Sequence, residues 1–119
     1  MYLDAYALPL PSEYDRQRYD ALNTKFGDFM KERGALSYVE AVADDVPRGE
    51  RTDFYRAVAA EESETVAVAF VTWPDKATRD AAWGAMETDP RFSDMQPGDM
   101  PFDGKRMFWG GFTPVYEMK

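Results

Sequence analysis

Two carboxylates lie inside apolar, strand-like stretches: Asp4 within Tyr2-Leu3-Asp4-Ala5-Tyr6 and Glu40 within Tyr38-Val39-Glu40-Ala41-Val42. A carboxylate among apolar neighbours is disfavoured unless it is paired or hydrogen-bonded. If desolvation raises its pKa, it becomes a candidate general base or acceptor. The plainer alternative is that either residue points to solvent near a sheet edge or meets an arginine across a dimer. Asp4 is the stronger candidate, because a first strand of the expected fold is central and a second lies at an edge. Asp103-Gly104-Lys105-Arg106 joins a turn to two cations. Arg106, with its planar fork, could clamp a ligand's carboxylate or enolate oxygen; a turn with ion pairs to the acidic surface is the competing reading. Gly110-Gly111 removes a side chain from each face of an aromatic strand. That leaves a hollow beside Phe108, Trp109 and Phe112, either a ligand pocket with Trp109 as stacking wall or a gap filled by a ring such as Trp83 or Phe92. Tyr6 and Tyr38 are candidate acids or oxyanion donors, or ordinary buried tyrosines with one hydrogen bond each.

The missing residue types limit the chemistry further. With no histidine and no cysteine, the usual general base, the usual haem and transition-metal ligand, the thiolate nucleophile and the disulfide are all excluded. Asp44, Asp45, Glu50 and Asp53 do not match a cation-binding loop and read as solvated charge in a turn. No metal and no cofactor are therefore expected. The net charge of -8, from 22 acidic against 14 basic residues, repels phosphate backbones and anionic lipid, so neither nucleic acid nor membrane is an expected partner. The N-terminus has no basic lead or cleavage site, and the expected location is the cytoplasm. A chain of 119 residues suits one domain spanning 1–119.

These candidates need elements to position them. Tyr2 to Leu8 alternates as a first strand, which Pro9 and Pro11 are expected to end. Ser12-Glu13-Tyr14-Asp15 resembles a capping box, and Tyr19, Leu22, Phe26, Phe29 and Met30 follow at helical spacing to about Arg33, with Gly34 beyond. That aromatic stripe reads as core. Ala35 to Ala43 is a second strand. Residues 44–63 are charged and structurally open, with Arg56 to Ala60 as strand or short helix. Thr65 to Trp73 is a strand apolar on both faces. Asp75 caps a second helix, whose small residues Ala77, Ala81, Ala82, Gly84 and Ala85 suit close packing on a sheet. Asp89-Pro90 opens a helical turn, and Lys105 to Tyr116 is the last strand.

Strand, helix, strand, strand, helix, strand is the ferredoxin-like βαββαβ order of an α+β protein, with an antiparallel sheet and helices on one face. The other face is apolar and needs cover. A second chain packed face to face, as a homodimeric α/β barrel, is the expected solution.

Tyr2-Leu3-Asp4, Leu8-Pro9-Leu10-Pro11, Gly34-Ala35-Leu36 with Tyr38-Val39-Glu40, Asp44-Asp45-Val46-Pro47, Thr52-Asp53-Phe54, Trp73-Pro74, Met100 to Met107 and Gly110-Gly111-Phe112 carry a resemblance over nearly the whole chain. The sequence resembles the YbaA-like bacterial family, a domain of unknown function in the dimeric α/β-barrel superfamily. The resemblance implies a ferredoxin-like homodimer and no assigned activity. Superfamily relatives include cofactor-independent monooxygenases, haem-degrading enzymes and lactone isomerases, but a shared fold transfers no function.

The expected protein is a homodimer binding a small, partly aromatic metabolite between sheet and helices. Asp4 and Arg106 are the catalytic candidates; Tyr6, Glu40, Trp109, Gly110 and Gly111 are the ligand-binding ones. A cofactor-independent monooxygenase or isomerase acting on an activated carbon acid, with Asp4 taking the proton, is the enzymatic alternative. A non-catalytic interaction module, its pocket filled by its own side chains, is the third.

Overall fold

Four strands pair antiparallel in a computed structural model that describes the backbone of residues 1–119 and every side chain but that of Pro97. The sheet order is β2-β3-β1-β4, from β1 (Tyr2–Pro11), β2 (Ser37–Val42), β3 (Glu64–Trp73) and β4 (Phe108–Phe112). β1 and β3 are central and pair over their full lengths, from Tyr2 opposite Trp73 to Pro11 opposite Glu64. β1 does not end at Pro9. Ser12 N donates to Ser63 O across the end of the β1–β3 ladder, so even-numbered residues of β1 bond to β3 and odd-numbered ones face the β4 side. β4 stops at Phe108 opposite Ala7, so the prolines place their missing donors on an uncovered edge.

Helix α1 (Arg16–Glu32) starts one turn later than the capping-box reading implies. Asp15 is the N-cap, accepting from Arg18 N at 3.0 Å, and Gly34 follows the helix end at φ +96°, a conformation glycine adopts freely. The open stretch before β3 contains a short helix, α2 (Phe54–Ala57), capped by Asp53. Helix α3 (Lys76–Met86) is capped by Asp75, and α4 (Pro90–Ser93) by Asp89 with Pro90 leading. A 3-10 turn at Pro97–Asp99 then leads towards β4. β4 is five residues long, shorter than the expected span; Lys105 to Met107 lie in a turn, and Val115 and Tyr116 extend into solvent.

Residues opposite one another in a ladder share a face, and the registers sort the side chains cleanly. Tyr6, Leu8, Leu10, Ala67, Ala69, Val71 and Trp73 pack with Tyr19, Phe29 and Met30 of α1 and Ala82 of α3. Two separate expectations are corrected here. In α3 only Ala82 of the small residues is buried, while Ala77, Ala81 and Gly84 face solvent. The inward positions are Arg79, Ala82, Trp83 and Met86, at the three- and four-residue spacing a helix requires. The helical elements also do not all lie on one face: Val58, just beyond α2, packs with Ala7 and Val66 on the opposite side. Elsewhere that side stays open, with Val39, Phe70, Phe108 and Phe112 between 44% and 55% exposed.

Candidate functional site

Asp4 and Glu40 both point to the helical side of the sheet, and their surroundings differ. Asp4 is 0% exposed. Arg79 of α3 reaches it with Nη2 at 2.7 Å and Nε at 3.0 Å, while Trp73 and Trp83 donate their indole N–H groups at 2.9 and 3.2 Å. A carboxylate with a bidentate guanidinium and two further donors is satisfied by its own chain. Arg79 and Trp83 are four residues apart on one face of α3, so one helical turn supplies three of those bonds.

Glu40 has no cationic partner among the described residues. Tyr19 of α1 donates a short hydrogen bond to one carboxylate oxygen, and Tyr38 donates to the other at 2.6 Å. Burial pushes the Glu40 carboxyl above its ordinary 4.5, against the two phenol bonds, which pull it down. Burial and then the neighbouring Glu40 raise both phenols, so they remain protonated donors.

Glu40 forms part of the wall of a cavity of about 210 Å³. The sheet contributes Tyr6, Leu8, Tyr38, Ala69 and Trp109; α1 contributes Leu22, Asn23 and Phe26; α3 contributes Trp83 and Met86. Phe92, Met95, Met100, Phe102 and Met107 close the side towards β4. Arg18 of α1 holds that segment by donating to the carbonyls of Gly98 and Asp99 at 3.3 and 2.8 Å. Trp83 and Trp109 stack at 6.0 Å between centroids, 18° apart, and the Tyr6 ring meets Phe26 edge-on at 6.1 Å. The Tyr6 hydroxyl is buried and has no hydrogen-bond partner among the described residues. Burial, and next Asp4, push its pKa up.

The sequence candidates therefore divide. Tyr6, Glu40 and Trp109 share the cavity wall; Asp4 and Arg106 are not part of it. Arg106 makes a bidentate pair with Glu64 at 2.6 and 2.7 Å, donates to Ala59 O at 2.9 Å and to Asp103 at 2.9 Å. Its donors tie the entry of β4 to the start of β3, which leaves no free fork for a ligand anion. At Gly111 a Cβ would lie 2.7 Å from Tyr2 Cε2, so the ring that fills the glycine hollow is Tyr2, not Trp83 or Phe92. Gly110 belongs to the open face with Ala5, and neither glycine lines the cavity. Asp53 is a helix cap, accepting from Arg56 N at 2.8 Å.

Several wall residues carried no functional signal in the sequence. The α1 stripe is core at Phe29 and Met30 but cavity wall at Leu22 and Phe26. Tyr19 could be found only by noticing a phenol on the helix face opposite Glu40. The methionines at 86, 95, 100 and 107 converge from separate segments, so no local pattern announces them.

Comparison with known proteins agrees with the resemblance drawn from the motifs. The chain belongs to the DUF1428 family, described as a protein of unknown function, whose family model matches residues 1–104. It is similar to the uncharacterized protein YbaA of Escherichia coli K12 and of Shigella flexneri. Each is 41% identical over 116 residues, covering 98% of this chain and 97% of the relative. Among solved structures it is similar to Rv0793 from Mycobacterium tuberculosis, with a TM-score of 0.43 and 13% identity over 100% of both chains.

Proposed function

We propose that this protein is a small-molecule-binding domain whose ligand, a compact and partly aromatic metabolite, occupies the cavity between the sheet and α1, α3 and the 92–107 segment. The observation that carries this reading is a single carboxyl, Glu40, held by two phenols in the wall of an otherwise aromatic and methionine-rich cavity. Ligand sites commonly have this character: apolar walls with a few fixed polar groups. Methionine walls also adapt to a range of shapes. Native mass spectrometry of protein purified from cell extract tests the reading. A small molecule should co-purify with the wild type and be lost from Leu22→Trp, which fills the cavity from α1. Binding undiminished in that variant would exclude this cavity.

The same reading includes a ferredoxin-like homodimer, assembled through the open sheet face in a cytoplasmic setting. It is supported by the exposed Val39, Phe70, Phe108 and Phe112 and by the uncovered Val115 and Tyr116, since contiguous apolar patches of this kind are rare on monomers. Sedimentation at micromolar concentration should give two chains for the wild type and one for Phe70→Lys; a wild-type monomer removes the dimer from the proposal.

A second, enzymatic reading replaces Asp4 with Glu40 as base. A carboxyl whose pKa is raised by burial is suited to taking a proton from an activated carbon acid. Such turnover should vanish in Glu40→Gln while a neutral ligand still binds; unchanged turnover would eliminate Glu40 as the base.

A further inference from the structure

We propose that the cavity selects a small aromatic amine, a single-ring arene whose protonated amino group is received by Glu40. This rests on the reading of the cavity as a ligand site and adds the ligand's class. Glu40 is the only charged side chain among the described wall residues. Each of its oxygens accepts one phenol, which leaves lone-pair capacity on both. The phenols orient the carboxylate without neutralising it, because tyrosine gives up no charge to its acceptor. The missing partner is therefore a cation, and the described wall residues supply none.

The rest of the cavity suits the same head group. Trp83, Trp109 and Phe26 line it, and aromatic side chains bury a ring and attract ammonium groups. Tyr6 adds its ring to the same wall. A cavity of about 210 Å³ exceeds the roughly 150 Å³ that accommodates benzene, leaving space for one ring and a short arm. Charge at longer range points the same way. A net charge of -8 draws cations towards the surface and repels carboxylates, and an acidic ligand would set a second anion beside Glu40.

Calorimetric titration of the full chain with 2-phenylethylamine, 2-phenylethanol and phenylacetate tests this. The amine should bind the wild type at least about tenfold more tightly than the alcohol, the increment expected of a charge-assisted hydrogen bond, with phenylacetate weakest. Glu40→Gln should bring the amine to the alcohol's affinity and leave the alcohol nearly unchanged. If Glu40→Gln does not fold, Glu40→Asp, which withdraws the carboxylate by one methylene, should weaken the amine selectively. Alcohol binding as tight as amine binding, a preference for phenylacetate, or an amine preference that survives both substitutions would overturn the amine assignment while the ligand site stands. Failure of all three probes to bind would overturn both.

Discussion

Replacing Tyr6 by phenylalanine should make the protein more stable. The Tyr6 ring is held by Phe26 edge-on at 6.1 Å and by Trp83 at 6.2 Å, contacts that a phenylalanine ring of the same shape keeps. What changes is the hydroxyl, which is buried without a partner among the described residues. An unsatisfied buried polar group costs about 1–3 kcal/mol, so Tyr6→Phe should gain about 1–2 kcal/mol once slight repacking is allowed for. In a domain of this size that raises the melting temperature by roughly 3–10 °C. Urea denaturation followed by tryptophan fluorescence measures it directly: the midpoint should rise with an unchanged slope, since the surface exposed on unfolding is the same. Residues retained against stability are expected where function needs them, so the stabilised variant should hold a captured ligand less tightly than the wild type. A loss of more than about 1 kcal/mol in Tyr6→Phe would refute the reasoning, because the hydroxyl would then be making a bond that contributes to folding.

Arg79→Met should cost about 3–5 kcal/mol, because it keeps the aliphatic stem but strands the Asp4 carboxylate beneath the sheet with only two indole donors. Adding Asp4→Asn should recover part of that loss, and a double-mutant cycle in urea measures the coupling; a single-mutant cost below about 1 kcal/mol contradicts the buried-pair account. For Glu40 the pH dependence has a definite sign. Its folded-state pKa lies above the ordinary 4.5, so within that window the native state binds more protons than the unfolded one. Its contribution to stability therefore falls as pH rises from about the ordinary value through the raised one. The stability difference between wild type and Glu40→Gln, measured from pH 4 upward in buffered urea, should shift against the wild type as pH increases; a flat difference would mean that burial does not perturb this carboxyl.

Local pattern made most of the architecture legible. Alternation in Tyr2 to Leu8 and Thr65 to Trp73 gave strands, the spacing of Tyr19, Phe26 and Met30 gave α1, and Asp75 and Asp89 were readable as caps because a short acceptor before a helix satisfies its free amides. Pro9 misled. Whether a proline ends a strand depends on which edge lacks a neighbour, and a short β4 decides that. The α2 segment was equally opaque, since its packing on Ala7 and Val66 arises from contacts across the sheet.

The candidate site divides along the same line. Asp4 and Glu40 stand out in the sequence for one reason, a carboxylate in an apolar strand, and nothing local separates them. Tertiary structure does: α3 brings Arg79 and Trp83 over Asp4 and completes its bonding, while α1 offers Glu40 one tyrosine hydroxyl, beside that of Tyr38 on its own strand, and leaves it facing a cavity. By itself the sequence determined which side chains are out of place in water-poor strands, because that cost is set by residue type and neighbours. Which of them receives a countercharge, and which is left to meet something else, was decided only by the helix that folds over each.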